Sequence, residues 1–115
     1  MNLEEYLEQN YQNIDMNIFA DLFLKQKTFY TLIFPQNFPR KNEYLVQEIE
    51  GDMLGLIFTS KEKVEKYKKQ ESLLKDWKIK EYNTENFDSY FKDVNRKVNG
   101  FCVNYGFYWC KLLLA

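Results

Sequence analysis

The chain has 115 residues, of which 45% are hydrophobic and 29% charged, an ordinary globular composition that fits one domain. Sixteen basic and seventeen acidic side chains leave a net charge of -1, which argues against a dedicated nucleic-acid binder, since these normally carry a strong basic excess. The absence of histidine removes serine–histidine and cysteine–histidine nucleophile pairs and the commonest metal ligand.

The N-terminal segment, residues 1–26, is predicted to be helical. One helix fits residues 2–13, and a second fits residues 16–26 with Asp15 as its N-cap. The predicted inward-facing residues are Leu3, Tyr6, Leu7, Ile18, Phe19, Leu22 and Phe23. The acidic start lacks the pattern of a signal peptide, and no apolar run approaches the roughly 20 residues of a membrane span. We therefore expect a cytoplasmic protein with no membrane partner.

Three strands are predicted in the middle of the chain. Residues 28–34 are β-branched and aromatic, and Pro35 ends them. Residues 43–50 alternate in polarity, as in a half-buried strand. Gly51 and Asp52 indicate a tight turn into a buried strand over 53–58.

The chain changes from strand to helix at Thr59. Its hydroxyl is placed to accept the backbone N–H of Glu62, and the Glu62 carboxylate to accept that of Thr59, which would form a capping box for a helix over 60–74. Two acid–lysine pairs with a spacing of four residues, Glu62/Lys66 and Glu65/Lys69, should support this helix.

The last third of the chain is predicted to add one helix and three strands. A short or edge strand fits 77–82, and an amphipathic helix fits 84–95. Strands over 101–104 and 107–114 flank Tyr105-Gly106. Together these elements predict a single α+β domain, with a mixed or antiparallel sheet of about five or six strands packed by three or four helices.

Four segments resemble the N-terminal domain of the SseB family. Residues 21–24 and 28–35 are similar to that family's helix and first strand, which ends at proline. Residues 55–69 are similar to its hallmark, a strand that runs through Phe-Thr-Ser into a helix. Residues 100–106, GFCVNYG, resemble a late segment in which proline is expected where this chain has Tyr105. The resemblance implies an SseB-like fold over residues 1–115 and brings no catalytic residues.

Catalytic and metal chemistry find little support. The carboxylates are scattered, so we expect no enzymatic activity, no metal site and no cofactor. Cys102 and Cys110 would face each other across a hairpin centred on Gly106, which allows a disulfide; two reduced, buried thiols are the favoured interpretation in the cytosol.

The aromatic surplus is the best functional clue. Ten Phe, nine Tyr and two Trp cannot all be hidden in so small a domain, and exposed aromatic rings anchor protein partners. The candidate protein-binding residues are Phe38, Tyr44, Trp77, Tyr82, Tyr105, Phe107 and Trp109. They favour a binding module of the inhibitor, immunity or anti-defence type. The lysine- and asparagine-rich composition of the chain would suit a bacterial or phage protein.

Two alternatives stay open. The first is an SseB-like housekeeping module that binds a small molecule or self-associates, for example as a homodimer. The second is nucleic-acid binding through the lysine-rich helix face over 61–69, which glutamates interrupt; we favour a solvated helix there.

Overall fold

A computed structural model describes residues 1–36, 42–94 and 98–113. Within these ranges, none of the helices has the length and apolar character that crossing a bilayer requires. The elements are α1 (Leu3–Asn10), α2 (Met16–Gln26), β1 (Thr28–Phe34), β2 (Glu43–Tyr44), β3 (Val46–Ile49), β4 (Asp52–Ile57), α3 (Lys61–Gln70), β5 (Lys78–Asn83), α4 (Phe87–Asp93), β6 (Gly100–Val103) and β7 (Cys110–Leu113). Short 3-10 turns at Ser72–Leu74 and Thr84–Asn86 precede β5 and α4.

The seven strands of the described residues form two sheets. The first has the order β2-β1-β5 and is antiparallel throughout. The second has the order β3-β4-β6-β7, and its central pair, β4 and β6, is parallel. The α+β class is therefore confirmed, with four α-helices, although the strands are divided between two sheets instead of forming one.

The chain passes from one sheet to the other at Leu45. The residue before it pairs with β1 in the first sheet, and the residue after it pairs with β4 in the second. The backbone N–H of Leu45 donates to Leu32 O at 3.0 Å, and its carbonyl accepts from Leu56 N at 3.1 Å. The single strand predicted over 43–50 is consequently two strands, because each half pairs with a different neighbour.

Burial on both sides of the second sheet produces two hydrophobic clusters. Side chains of β4 alternate between them, with Leu56 in one cluster and Ile57 in the other. The cluster that contains Ile57 packs α1, α2 and α4, and the cluster that contains Leu56 packs α3. This two-sided burial explains why β4 and β6 read as continuous apolar runs.

Several local predictions are confirmed. Asp15 caps α2 by accepting from the backbone N–H groups of Asn17 at 2.9 Å and Ile18 at 3.2 Å. The strand over 28–34 has the predicted bounds, and β5 lies at the edge of its sheet as predicted for 77–82. The last predicted strand, 107–114, begins only at Cys110, because residues 104–109 form a loop.

The two cysteines do not face each other. Val103 stands opposite Cys110 in the β6–β7 register, so Cys102 pairs with Lys111 and its side chain points to the other face of the sheet. Both thiols are free and buried, each in a different hydrophobic cluster. Burial raises the pKa of each thiol to about 12. The hairpin therefore does not place the two sulfurs together for a disulfide.

Candidate protein-interaction surface

The ends of the parallel pair β4–β6 are joined by a buried amide. Asn104 follows β6, has a φ of 60° and is 1% exposed. Its Oδ1 accepts from the backbone N–H of Thr59 at 2.9 Å, and its Nδ2 donates to Thr59 Oγ1 at 2.9 Å. Asparagine tolerates this left-handed conformation better than most residues, so the turn after β6 is fixed by one side chain.

This amide changes how α3 begins. The Thr59 hydroxyl donates to Glu4 Oε1 at 3.1 Å, and its backbone N–H is already bound to Asn104. The predicted Thr59–Glu62 capping box is therefore wrong. Ser60 caps the helix instead, accepting from the backbone N–H of Lys63 at 3.2 Å. Tertiary contacts have taken both groups that Thr59 would need for capping.

Lys63 of α3 contacts both α1 and the loop that follows β6. Its ammonium lies 3.3 Å from Glu4 Oε1 of α1 and 5.7 Å from the centre of the Phe107 ring. The lysine side chain is 24% exposed and that of Glu4 is 40% exposed, so the ion pair is partly shielded from solvent. The Lys63 ammonium is also attracted to the face of the Phe107 ring, as a cation is to the negative face of an aromatic ring. Phe107 is thus held beside α1 and α3.

The loop over residues 104–109 presents four aromatic rings in fixed positions. Tyr105 packs against Tyr67 of α3, with ring centres 6.4 Å apart, and against Trp109 at 5.3 Å. Tyr108 packs against Tyr11, which follows α1, at 5.4 Å. Burial and the nearby Glu71 carboxylate raise the pKa of Tyr67 to about 12, so that ring stays neutral.

The surface formed by Tyr11, Tyr105, Phe107, Tyr108 and Trp109 is called the aromatic surface below. Tyr108 is 49% exposed and Tyr11 39%, while the other three rings are half-buried. Gly106 has a φ of 94°, a conformation that side-chain-bearing residues rarely adopt, so glycine is needed for the loop to reverse. The rings are thus anchored on one side and open to solvent on the other.

A cavity of about 290 Å³ lies between α1 and this loop. Its walls include the rings of Phe107 and Tyr108, and its lining charges are those of Lys63 and three glutamates, Glu4, Glu5 and Glu8. The aromatic surface is therefore bordered by an acidic recess.

Three of the seven residues predicted from the sequence lie in this loop and pack against the same hydrophobic cluster: Tyr105, Phe107 and Trp109. Trp77 is half-buried against the Phe34 ring, with ring centres 5.8 Å apart, and it packs against the outside of the cluster that α3 covers. Phe38 lies outside the described residues. The other two predicted residues, Tyr44 and Tyr82, need a correction.

Tyr44 and Tyr82 are core residues, only 6% and 8% exposed, so the expectation that they reach the surface is wrong. Tyr82 donates to Asp93 Oδ2 at 2.8 Å and therefore accepts from the Tyr44 hydroxyl at 2.9 Å. Lys80 Nζ donates to Tyr44 at 3.5 Å. Burial and the hydrogen bonds of Tyr82 with Tyr44 and Asp93 raise the pKa of Tyr82. Each hydroxyl has a partner, which is how two tyrosines become part of a core.

Sequence reasoning missed the residues that support the aromatic surface. Glu4 and Lys63 are too far apart in sequence for their ion pair to be predicted. Thr59 was predicted to cap α3, so its hydrogen bond with Asn104 was not expected. The useful signal was Asn104-Tyr105-Gly106, because asparagine and glycine are the residues that adopt positive φ in turns. Among the described residues, no group of three or more His, Cys, Asp or Glu side chains is placed to hold a metal ion.

The chain matches no family model, no curated protein and no solved structure. The resemblance to the SseB family therefore stays a prediction.

Proposed function

We propose that this protein is a small cytosolic binding module that acts by protein–protein contact, as an inhibitor, immunity or anti-defence protein. In this proposal the aromatic surface covers a functional site on another protein and performs no catalysis. The observation that carries the proposal is the set of aromatic rings fixed around the loop over 104–109, partly exposed and next to a cavity.

Rigid aromatic rings suit this role for an energetic reason. Interface residues that dominate binding energy are enriched in tyrosine and tryptophan. Association costs free energy wherever a side chain must be ordered, and rings that are already held lose less freedom on binding. Tyr108 is held by Tyr11, and Trp109 by Tyr105, so both rings are ordered before a partner arrives.

The test is capture of a partner with matched variants. The tagged protein would be incubated with lysate of its native host at moderate salt with nuclease, and bound proteins identified by mass spectrometry. Tyr108→Ala should weaken binding about tenfold or more, since it removes the most exposed ring of the aromatic surface. Phe91→Ala is the matched control, because Phe91 is 45% exposed on α4 and contacts Phe101 instead of the loop.

The outcomes separate clearly. One stoichiometric partner, retained by the Phe91→Ala variant and lost by the Tyr108→Ala variant, would support the proposal, provided that both variants keep their melting temperature. A partner retained by the Tyr108→Ala variant would contradict it. Recovery of the bait alone would also count against it and would favour an SseB-like module that binds a small molecule or self-associates.

A further inference from the structure

A lysine-lined groove lies between α3 and β5, and its lining contains none of the five residues of the aromatic surface. It consists of two adjoining cavities, of about 570 and 430 Å³, which share Lys68 and Ile79 in their linings. The feature is called the lysine groove and is defined by its basic lining residues, Lys61, Lys68, Lys69, Lys75 and Lys78.

Within the part of the chain that the structure describes, the lysines of this groove have no acidic partner. Among the described residues, none of the five forms an ion pair, whereas the helix lysines outside the groove do: Lys66 pairs with Glu62 at 3.1 Å and Lys63 with Glu4 at 3.3 Å. The Glu65–Lys69 pair predicted from their spacing is likewise not formed. The fold thus sorts the basic side chains of α3 into paired and unpaired sets.

The groove carries a positive excess although the whole chain does not. Its lining contains the five lysines and three glutamates, Glu65, Glu71 and Glu81, an excess of two positive charges. The chain as a whole has a net charge of -1. Spaced lysines match the charge of spaced carboxylates on a peptide segment. The Ile79 side chain, which lines both cavities, can contact apolar atoms of the same segment.

We propose that the lysine groove binds an acidic segment of a partner protein, whose carboxylates pair with these lysines. A nucleic acid fits less well, because the interleaved glutamates would repel a continuous phosphate backbone. Single-stranded nucleic acids are also usually held by several stacking rings, and the described residues of this lining include one aromatic side chain, the half-buried Tyr30. The inference rests on the proposed function only in taking the ligand to be a protein segment.

The test uses a fluorescein-labelled peptide of alternating glutamate and serine, with its glutamine counterpart and a single-stranded oligonucleotide of equal charge. Binding to the full chain would be followed by fluorescence anisotropy at low and moderate salt. The double variant Lys68→Gln/Lys78→Gln should weaken peptide binding about fivefold or more. Lys25→Gln/Lys92→Gln is the control of equal charge, because these lysines lie on α2 and α4.

Binding of the glutamate peptide, weakened by the groove variant and kept by both the control variant and Tyr108→Ala, would establish the site independently of the aromatic surface. The proposal is overturned if the glutamine peptide binds equally well or if the control variant loses as much affinity. Tighter binding of the oligonucleotide would assign the groove to nucleic acid, and absence of peptide binding at low salt would also overturn it.

Discussion

Tyr90 offers the sharpest test of the packing. Its side chain is fully buried, and its hydroxyl has no hydrogen-bond partner in the described structure. The Thr31 hydroxyl lies close enough to act on Tyr90, but it gives its hydrogen to Leu56 O at 2.8 Å. A buried polar group without a partner costs about 1–3 kcal/mol. Removing the hydroxyl in Tyr90→Phe should therefore raise the free energy of unfolding by about 1 kcal/mol, after allowance for the small void left behind.

Tyr82→Phe is the matched control, because it deletes the same atom from a hydroxyl with two partners. Tyr82 donates to Asp93 at 2.8 Å and accepts from Tyr44 at 2.9 Å. Its loss takes the acceptor from the Tyr44 hydroxyl, to which Lys80 still donates, and one donor from the exposed Asp93 carboxylate, so the free energy of unfolding should fall by about 1 kcal/mol. The same Tyr→Phe substitution is thus expected to raise the free energy of unfolding at position 90 and to lower it at position 82.

Urea unfolding followed by circular dichroism would measure both changes, with thermal melting as a second readout. One kcal/mol corresponds to about 4 °C in a domain of this size. A loss of stability in the Tyr90→Phe variant would refute the reasoning and would show that the hydroxyl is bonded, with Thr31 as the available acceptor. Equal effects at both positions would show that the hydrogen bonds of Tyr82 add no stability.

Three further predictions follow from the same contacts. A Cβ added at Gly55 would lie 2.5 Å from the Tyr90 hydroxyl oxygen, so Gly55→Ala should lower the free energy of unfolding by about 1–3 kcal/mol. The loss should be much smaller when Gly55→Ala is combined with Tyr90→Phe, and equal losses in the two backgrounds of a double-mutant cycle would contradict this. Ser60→Ala should cost about 1 kcal/mol in urea unfolding because it removes the cap of α3, and an unchanged midpoint would reassign that cap. Burial raises the thiol pKa of Cys102 and Cys110 from 9.0 to about 12. Iodoacetamide at pH 8.5 should therefore modify neither thiol in the folded protein and both after unfolding, and rapid modification of the folded protein would contradict their burial.

Local chemistry determined the elements whose signals lie within a few residues. The strand Thr28–Phe34 follows from a β-branched and aromatic run that stops at Pro35. The start of α2 follows from Asp15, whose carboxylate reaches backbone groups two and three residues ahead. Neither outcome depends on a distant partner, which is why sequence patterns predicted both.

Contacts between distant residues decided the rest. Thr59 has the chemistry of a helix cap, but Asn104, which is 45 residues further along the chain, takes its backbone N–H. Tyr44 and Tyr82 have amphipathic side chains that suit either surface or core, and their mutual hydrogen bond places them in the core. A residue that can satisfy its polar group in more than one way is assigned by the partner that the fold brings to it. The position of the aromatic surface depends in the same way on Glu4 and Lys63, which only the tertiary structure brings within 3.3 Å of each other.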